Sequence, residues 1–141
     1  MEKRTCKSYT IDGIEGIKIK IGTTEKNSTK VVYATAKTKI NYDGDDDPLK
    51  GYTTAMKRFD RELTSMVGGN KLFTGAVIAT PGISESNLAT KKYTKLEYTM
   101  FLKVSEPAPM DRMLPALEPF MRQVFAIMGE RLREYGFVTV H

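Results

Sequence analysis

The chain has 141 residues, of which 40% are hydrophobic and 28% charged, and its formal net charge is +5. This length and composition are typical of a globular protein and predict a single α+β domain over residues 1–141. No run of about 18 apolar residues occurs, so we expect no membrane-spanning segment. The moderate positive charge is compatible with a polyanionic partner, but it excludes no other kind of partner.

Two scarce residue types limit the chemistry. The only histidine is His141 and the only cysteine is Cys6. One histidine excludes a histidine-based triad and a multi-histidine metal site within one chain. One cysteine excludes an intramolecular disulfide and fits a reducing compartment. With no phosphate-binding glycine loop either, we expect a non-enzymatic protein without cofactor or metal, cytoplasmic or virion-associated.

Alternating residues predict a lysine-rich β-hairpin near the start of the chain. Residues 17–21 read Ile-Lys-Ile-Lys-Ile, which gives a strand one apolar and one cationic face. Residues 22–29 are polar and predict a loop. Residues 30–42 predict a longer strand whose even positions are mainly apolar and whose odd positions include Tyr33 and two lysines. A short strand at residues 9–11 precedes this hairpin.

An acidic run separates the hairpin from the first predicted helix. Asp43, Asp45 and Asp47 have the spacing of a calcium loop, but Pro48 stands where that loop needs glycine, and Thr54 where it needs glutamate. Asp47 is instead well placed as a helix N-cap, with Pro48 at the first helical position. We therefore predict a capped helix ending before Gly68, and no metal site in the acidic run.

The second half repeats the strand–strand–helix order. Residues 71–80 are apolar on both faces and predict a central or doubly covered strand. Residues 81–90 are small and polar and predict a loop, whereas residues 93–104 alternate and predict another strand. Residues 137–140 predict a short terminal strand.

The last helix, predicted over residues 111–135 with Asp111 as its N-cap, has an unusually broad apolar face. Gly136 suits the left-handed position after its last turn. One face of a small sheet is unlikely to cover so much apolar surface, and Gly129 permits close approach of a neighbour. We therefore expect at least a dimer, with this helix or a sheet edge in the interface.

Together these elements predict an α+β fold with a mainly antiparallel four- to five-stranded sheet and two helices on one face, in ββαββα order. The chain divides into two similar halves, residues 16–68 and 71–136. Their residues are not alike enough to form a sequence repeat.

The face of the sheet opposite the helices is the candidate site. Lysines neutralise phosphates, and aromatic rings on a sheet stack with unpaired bases. An exposed antiparallel face also needs polar residues for hydration alone, and its aromatics could pack beneath a loop or against another subunit. Period-two spacing places the following candidate nucleic-acid-binding residues on this face: Lys18, Lys20, Tyr33, Lys37, Lys39, Tyr93, Lys95, Phe101 and Lys103.

Binding of single-stranded DNA or RNA is the function that attaches best to named residues. The alternative is an oligomeric structural, assembly or regulatory protein that binds itself or another protein, since the acidic run on a basic chain permits head-to-tail association. The layout resembles that of small phage or mobile-element single-strand-binding and assembly proteins, although no motif assigns the chain to one family.

Overall fold

A computed structural model describes residues 8–14, 16–26, 29–74, 78–106 and 108–140, so Cys6 and His141 lie outside the described residues. Within the described part the chain forms a six-stranded sheet and three helices, which confirms the predicted α+β class. The elements in chain order are β1 (Ser8–Ile14), β2 (Ile17–Lys26), β3 (Thr29–Tyr42), α1 (Pro48–Gly68), β4 (Ile78–Gly82), α2 (Glu85–Lys91), β5 (Tyr93–Leu102), α3 (Met110–Glu134) and β6 (Phe137–Val140).

The sheet is antiparallel, with strand order β1-β2-β3-β5-β4. β3 and β5 pair at its centre, from Val32 to Asn41 on β3. β6 pairs with the last residues of β3, Lys39 to Tyr42, beyond the point where the paired part of β2 ends at Lys18. β3 therefore pairs with three of the other strands, β2, β5 and β6.

The helices cover one face of the sheet, and their apolar stripes form the core with it. Tyr98 of β5 is fully buried between Phe59 of α1 and Phe125 of α3, with ring centroids 5.3 Å and 6.3 Å away. The short helix α2 adds Leu88, which is also fully buried. Along β3 and β5 alternate residues point into this core, so the intervening residues lie on the opposite face.

The predicted start of α1 is confirmed. The Asp47 carboxylate accepts a hydrogen bond from the Leu49 N–H at 3.1 Å, and Pro48 occupies the first helical turn. The Tyr42 ring packs against Gly44 and Gly136, where a Cβ atom would lie 2.6 Å and 2.9 Å from the ring. Gly136 has φ +95°, as expected for the left-handed position after α3. Across the described residues, no group of three or more acidic, histidine or cysteine side chains could hold a metal ion.

The predicted loop at residues 22–29 is wrong, because β2 continues to Lys26 and β3 begins at Thr29, and residues 27 and 28 lie outside the described part. Gly22, Thr23 and Thr24 pair with Tyr33, Val32 and Val31 of the long strand β3. These polar residues lack an apolar alternation, so the available partner strand, and not their own sequence, determines their conformation.

The predictions for residues 71–90 also need correction. The central position in the sheet belongs to β5, whereas β4 is an edge strand, a place where Pro81 is tolerated. Phe73 makes only an isolated bridge, to Val104, and residues 75–77 lie outside the described part. Residues predicted as a loop contain α2, whose N-cap Ser84 accepts a hydrogen bond from the Asn87 N–H.

The structure changes the interpretation of α3. The helix begins at Met110 with Pro109, and not Asp111, at the N-cap. Its broad apolar face is buried within the chain, and Gly129 is buried too, so the helix does not offer the uncovered apolar surface that suggested a dimer interface. Within the described range no helix is long and apolar enough to cross a bilayer.

An ion-pair network joins the solvent sides of α1 and α3. Arg131 donates two hydrogen bonds to the Glu62 carboxylate, at 2.6 Å and 2.7 Å, and a third to Glu134 at 2.6 Å. Arg58 also pairs with Glu134, at 3.1 Å. The hydrogen bonds from Arg131 hold the pKa of Glu62 below its ordinary value. The helix layer therefore carries both signs of charge, and these four residues are paired with one another.

Candidate nucleic-acid interface

The sheet surface opposite the helices, here called the outer face, carries the predicted site residues. Strands β2, β3 and β5 hold eight of the nine, and Lys103 lies one residue beyond β5. Tyr93 and the lysines are exposed, whereas Tyr33 and Phe101 are half-buried. The three strands that carry them are adjacent in the sheet, so residues far apart in the sequence lie on one surface.

Strand register arranges the lysines into two rows across the sheet, here called the lysine rows. Lys18, Lys37 and Glu97 stand opposite one another in the first row, and Lys39 and Lys95 in the second. The rows are two residues apart along β3, which corresponds to about 7 Å. Lys20 follows on the other side of the first row, opposite Thr35.

Each lysine row contains two like charges on directly opposed residues. Lys18 faces Lys37, and Lys39 faces Lys95. Like charges in this arrangement destabilise a sheet. The Lys37 ammonium lies 3.9 Å from the Glu97 carboxylate, but both side chains are well exposed, so solvent screens that ion pair. The outer face therefore concentrates positive charge at a cost to the fold.

An aromatic row, formed by Gly22, Tyr33 and Phe101 on adjacent strands, lies at the hairpin end of the outer face. A Cβ atom at Gly22 would be 2.6 Å from the Tyr33 ring, so glycine lets the ring lie over the backbone of β2. Between this row and the lysine rows, Thr35 and Thr99 share a hydroxyl–hydroxyl hydrogen bond of 3.2 Å. Because these side chains are small, the surface between the aromatic row and the lysine rows is polar and lacks large side chains at these two positions.

The structure adds Val138 and Val140, which the sequence did not assign to the site. Tyr93, Val138 and Val140 are the exposed large hydrophobic residues of the described part, with exposed fractions of 50%, 49% and 44%. All three lie at the opposite end of the outer face from the aromatic row, and we call them the apolar patch. Val138 and Tyr93 flank Asn41, whereas Val140 stands opposite Lys39. Alternation could group the two valines, but their place beside β3 depends on the fold.

The polar groups on the helix side do not contribute to this surface. The Tyr98 hydroxyl donates to Asp60 at 2.8 Å, and burial raises the pKa of Tyr98 and of Tyr52 above the ordinary value. The Tyr52 hydroxyl is buried and has no hydrogen-bond partner among the described residues. These neutral phenols inside the core have a structural role. The outer face therefore remains the main candidate for binding.

No family model, curated protein or solved structure matches this chain. Its function must therefore be inferred from the chemistry of the outer face.

Proposed function

We propose that the outer face binds single-stranded DNA or RNA, with lysines neutralising phosphates and aromatic rings stacking on bases. The observation that carries this proposal is the pair of opposed lysines in each lysine row, Lys18 with Lys37 and Lys39 with Lys95. A solvated face needs polar residues, but it does not need like charges set against each other. A polyanion lying on the face removes that repulsion and gains favourable contacts with the same groups.

A single strand fits this surface better than a duplex. Stacking on Tyr33 requires a base with a free face, whereas the bases of a duplex already stack on their neighbours. α1 and α3 lie on the other side of the sheet, so they offer no element beside the lysine rows to enter a groove. The contacts available to a single strand are phosphate contacts and stacking, and neither depends strongly on base identity.

A second candidate function is assembly through the sheet edges. β1 and β4 stand at the two ends of the strand order, and an edge strand can pair with a strand of another chain. A protein that binds neither DNA nor RNA at low salt would leave assembly as the better proposal.

The test of nucleic-acid binding is the salt dependence of affinity. A labelled single strand of about 20 nucleotides is titrated between about 50 and 200 mM salt, and its duplex is measured in parallel. The log–log slope should be near −0.7 for each phosphate that the protein neutralises. The double variant Lys37→Ala/Lys39→Ala should weaken binding and flatten this slope, because two phosphate contacts are lost.

The matched control is Lys50→Ala/Lys57→Ala, which removes the same charge from exposed positions on α1. This control should change the slope much less than the outer-face variant. Tyr33→Ala should weaken binding by roughly 1–3 kcal/mol without changing the slope, because stacking is not ionic. No binding at low salt, or equal effects of the two lysine pairs, would contradict the proposal.

A further inference from the structure

The outer face has two ends at which a base could stack, with the lysine rows between them. Tyr33 stands in the aromatic row, and Tyr93 stands opposite Asn41 in the apolar patch. Tyr33 and Asn41 are eight residues apart on the same strand, β3, which at about 3.4 Å per residue is about 27 Å. Lys20, the first lysine row and the second lysine row follow one another across this interval.

We infer that a single strand lies along β3, with one base stacked on Tyr33 and another on Tyr93, and that the site therefore holds at most about nine nucleotides. The length follows from the 27 Å interval and a spacing of about 3.4 Å per stacked nucleotide; a more extended strand covers the interval with fewer. This inference rests on the proposed function and adds the length of the bound strand and its path on the sheet.

Charge determines the direction of the strand on the sheet. A strand that crossed the sheet along the first lysine row would pass from Lys18 and Lys37 to Glu97, whose carboxylate is well exposed and repels phosphate. A strand that follows β3 instead passes from one lysine row to the next, within reach of lysines on β2 and β5. The path along β3 therefore gains more charge contacts than the path across it.

The apolar patch is continuous with the lysine rows, and this identifies its occupant. Val140 and Lys95 both stand opposite Lys39, so the patch and the second lysine row share strand positions. A nucleotide is complementary to this surface, because its base offers an apolar plane and its phosphate a negative charge. The apolar surface of Tyr93 and Val138 then serves the base, while Lys39 and Lys95 serve the backbone.

The inference is tested with oligothymidines of about 4 to 16 nucleotides at low salt. Affinity should rise steeply with length up to about nine nucleotides and then increase only slowly, as additional binding registers become available. Tyr93→Ser should weaken binding of a 12-nucleotide strand roughly 5- to 100-fold, the effect of losing one stacked base. The same change should leave a 4-nucleotide strand nearly unaffected, because that strand remains bound near Tyr33.

The matched variant Tyr93→Phe retains the ring and should bind like the parent. If Tyr33→Ala weakens the long strand and Tyr93→Ser does not, the strand does not reach the apolar patch. The inference then fails and the proposed function stands. If no oligothymidine binds, both fail. If Tyr93→Ser instead converts a dimer to a monomer in sedimentation, a second copy covers the patch, and the inference is again overturned.

Discussion

At the scale of single residues, the opposed lysines give the outer face a property that can be measured without any ligand. Lys39 and Lys95 repel each other across β3 and β5. Lys95→Gln removes that repulsion and retains a long polar side chain. We expect its free energy of unfolding to rise by roughly 0.2–1 kcal/mol, as judged from denaturation midpoints at low salt.

The same variant should bind a single strand more weakly, because one cationic contact is lost. If like charges are held together for binding, removing one of them should raise stability and weaken binding. Lys57→Gln, an exposed change on α1, should leave both quantities nearly unchanged. A lower midpoint for Lys95→Gln would show that Lys95 supports the fold and would remove the main reason for assigning it to binding.

The sequence predicts which residues share the outer face, but not which of them meet. Alternation alone places Lys37 and Lys95 on one surface, because side chains of a strand point to opposite faces in turn. The opposition of Lys39 and Lys95 depends on strand register, which is determined by pairing partners far along the chain. The contact between Gly22 and the Tyr33 ring could not be predicted either, since the sequence placed Gly22 in a loop.

At the scale of elements, strong sequence patterns predict helices and strands well, whereas short segments carry too little pattern to predict them. The start of α1 follows from Asp47 and Pro48, whose side chains act locally. The helix α2 has seven residues and one buried apolar side chain, Leu88, so it has no periodicity to detect. β4 lies at the edge because β5 pairs with β3 on its other side. This pairing is a property of the whole sheet and not of the β4 sequence.

The position of α1 on the sheet gives a prediction about stability. Phe59 is fully buried against Tyr98, so Phe59→Ala should leave a cavity and lower the free energy of unfolding by about 3–5 kcal/mol. Its neighbour Arg58 is exposed and its ion pair with Glu134 is screened by solvent, so Arg58→Ala should cost much less. Urea denaturation of both variants measures the difference, and equal midpoints would show that α1 is rotated from its described orientation.

At the scale of the whole molecule, α1 and α3 pack on one face of the sheet and, in the described part of the chain, leave the outer face open. This one-sided arrangement also bears on self-association, which remains a prediction. Because the apolar face of α3 is buried within the chain, the remaining candidates for an interface are the sheet edges at β1 and β4, the apolar patch and the exposed acidic run. Nucleic acid and a second copy would compete at the apolar patch.

Binding at the outer face is tested most directly by the tyrosine rings, since the chain carries them on both sides of the sheet. Tyr33 and Tyr93 lie on the outer face, and Tyr52 and Tyr135 lie in the helix layer. With the tyrosine rings isotopically labelled, NMR spectra are recorded during titration with an oligothymidine at low salt. The signals of Tyr33 and Tyr93 should shift and return when salt is added, while those of Tyr52 and Tyr135 stay in place. Shifts confined to Tyr135, or no shift at any ring, would contradict binding at the outer face.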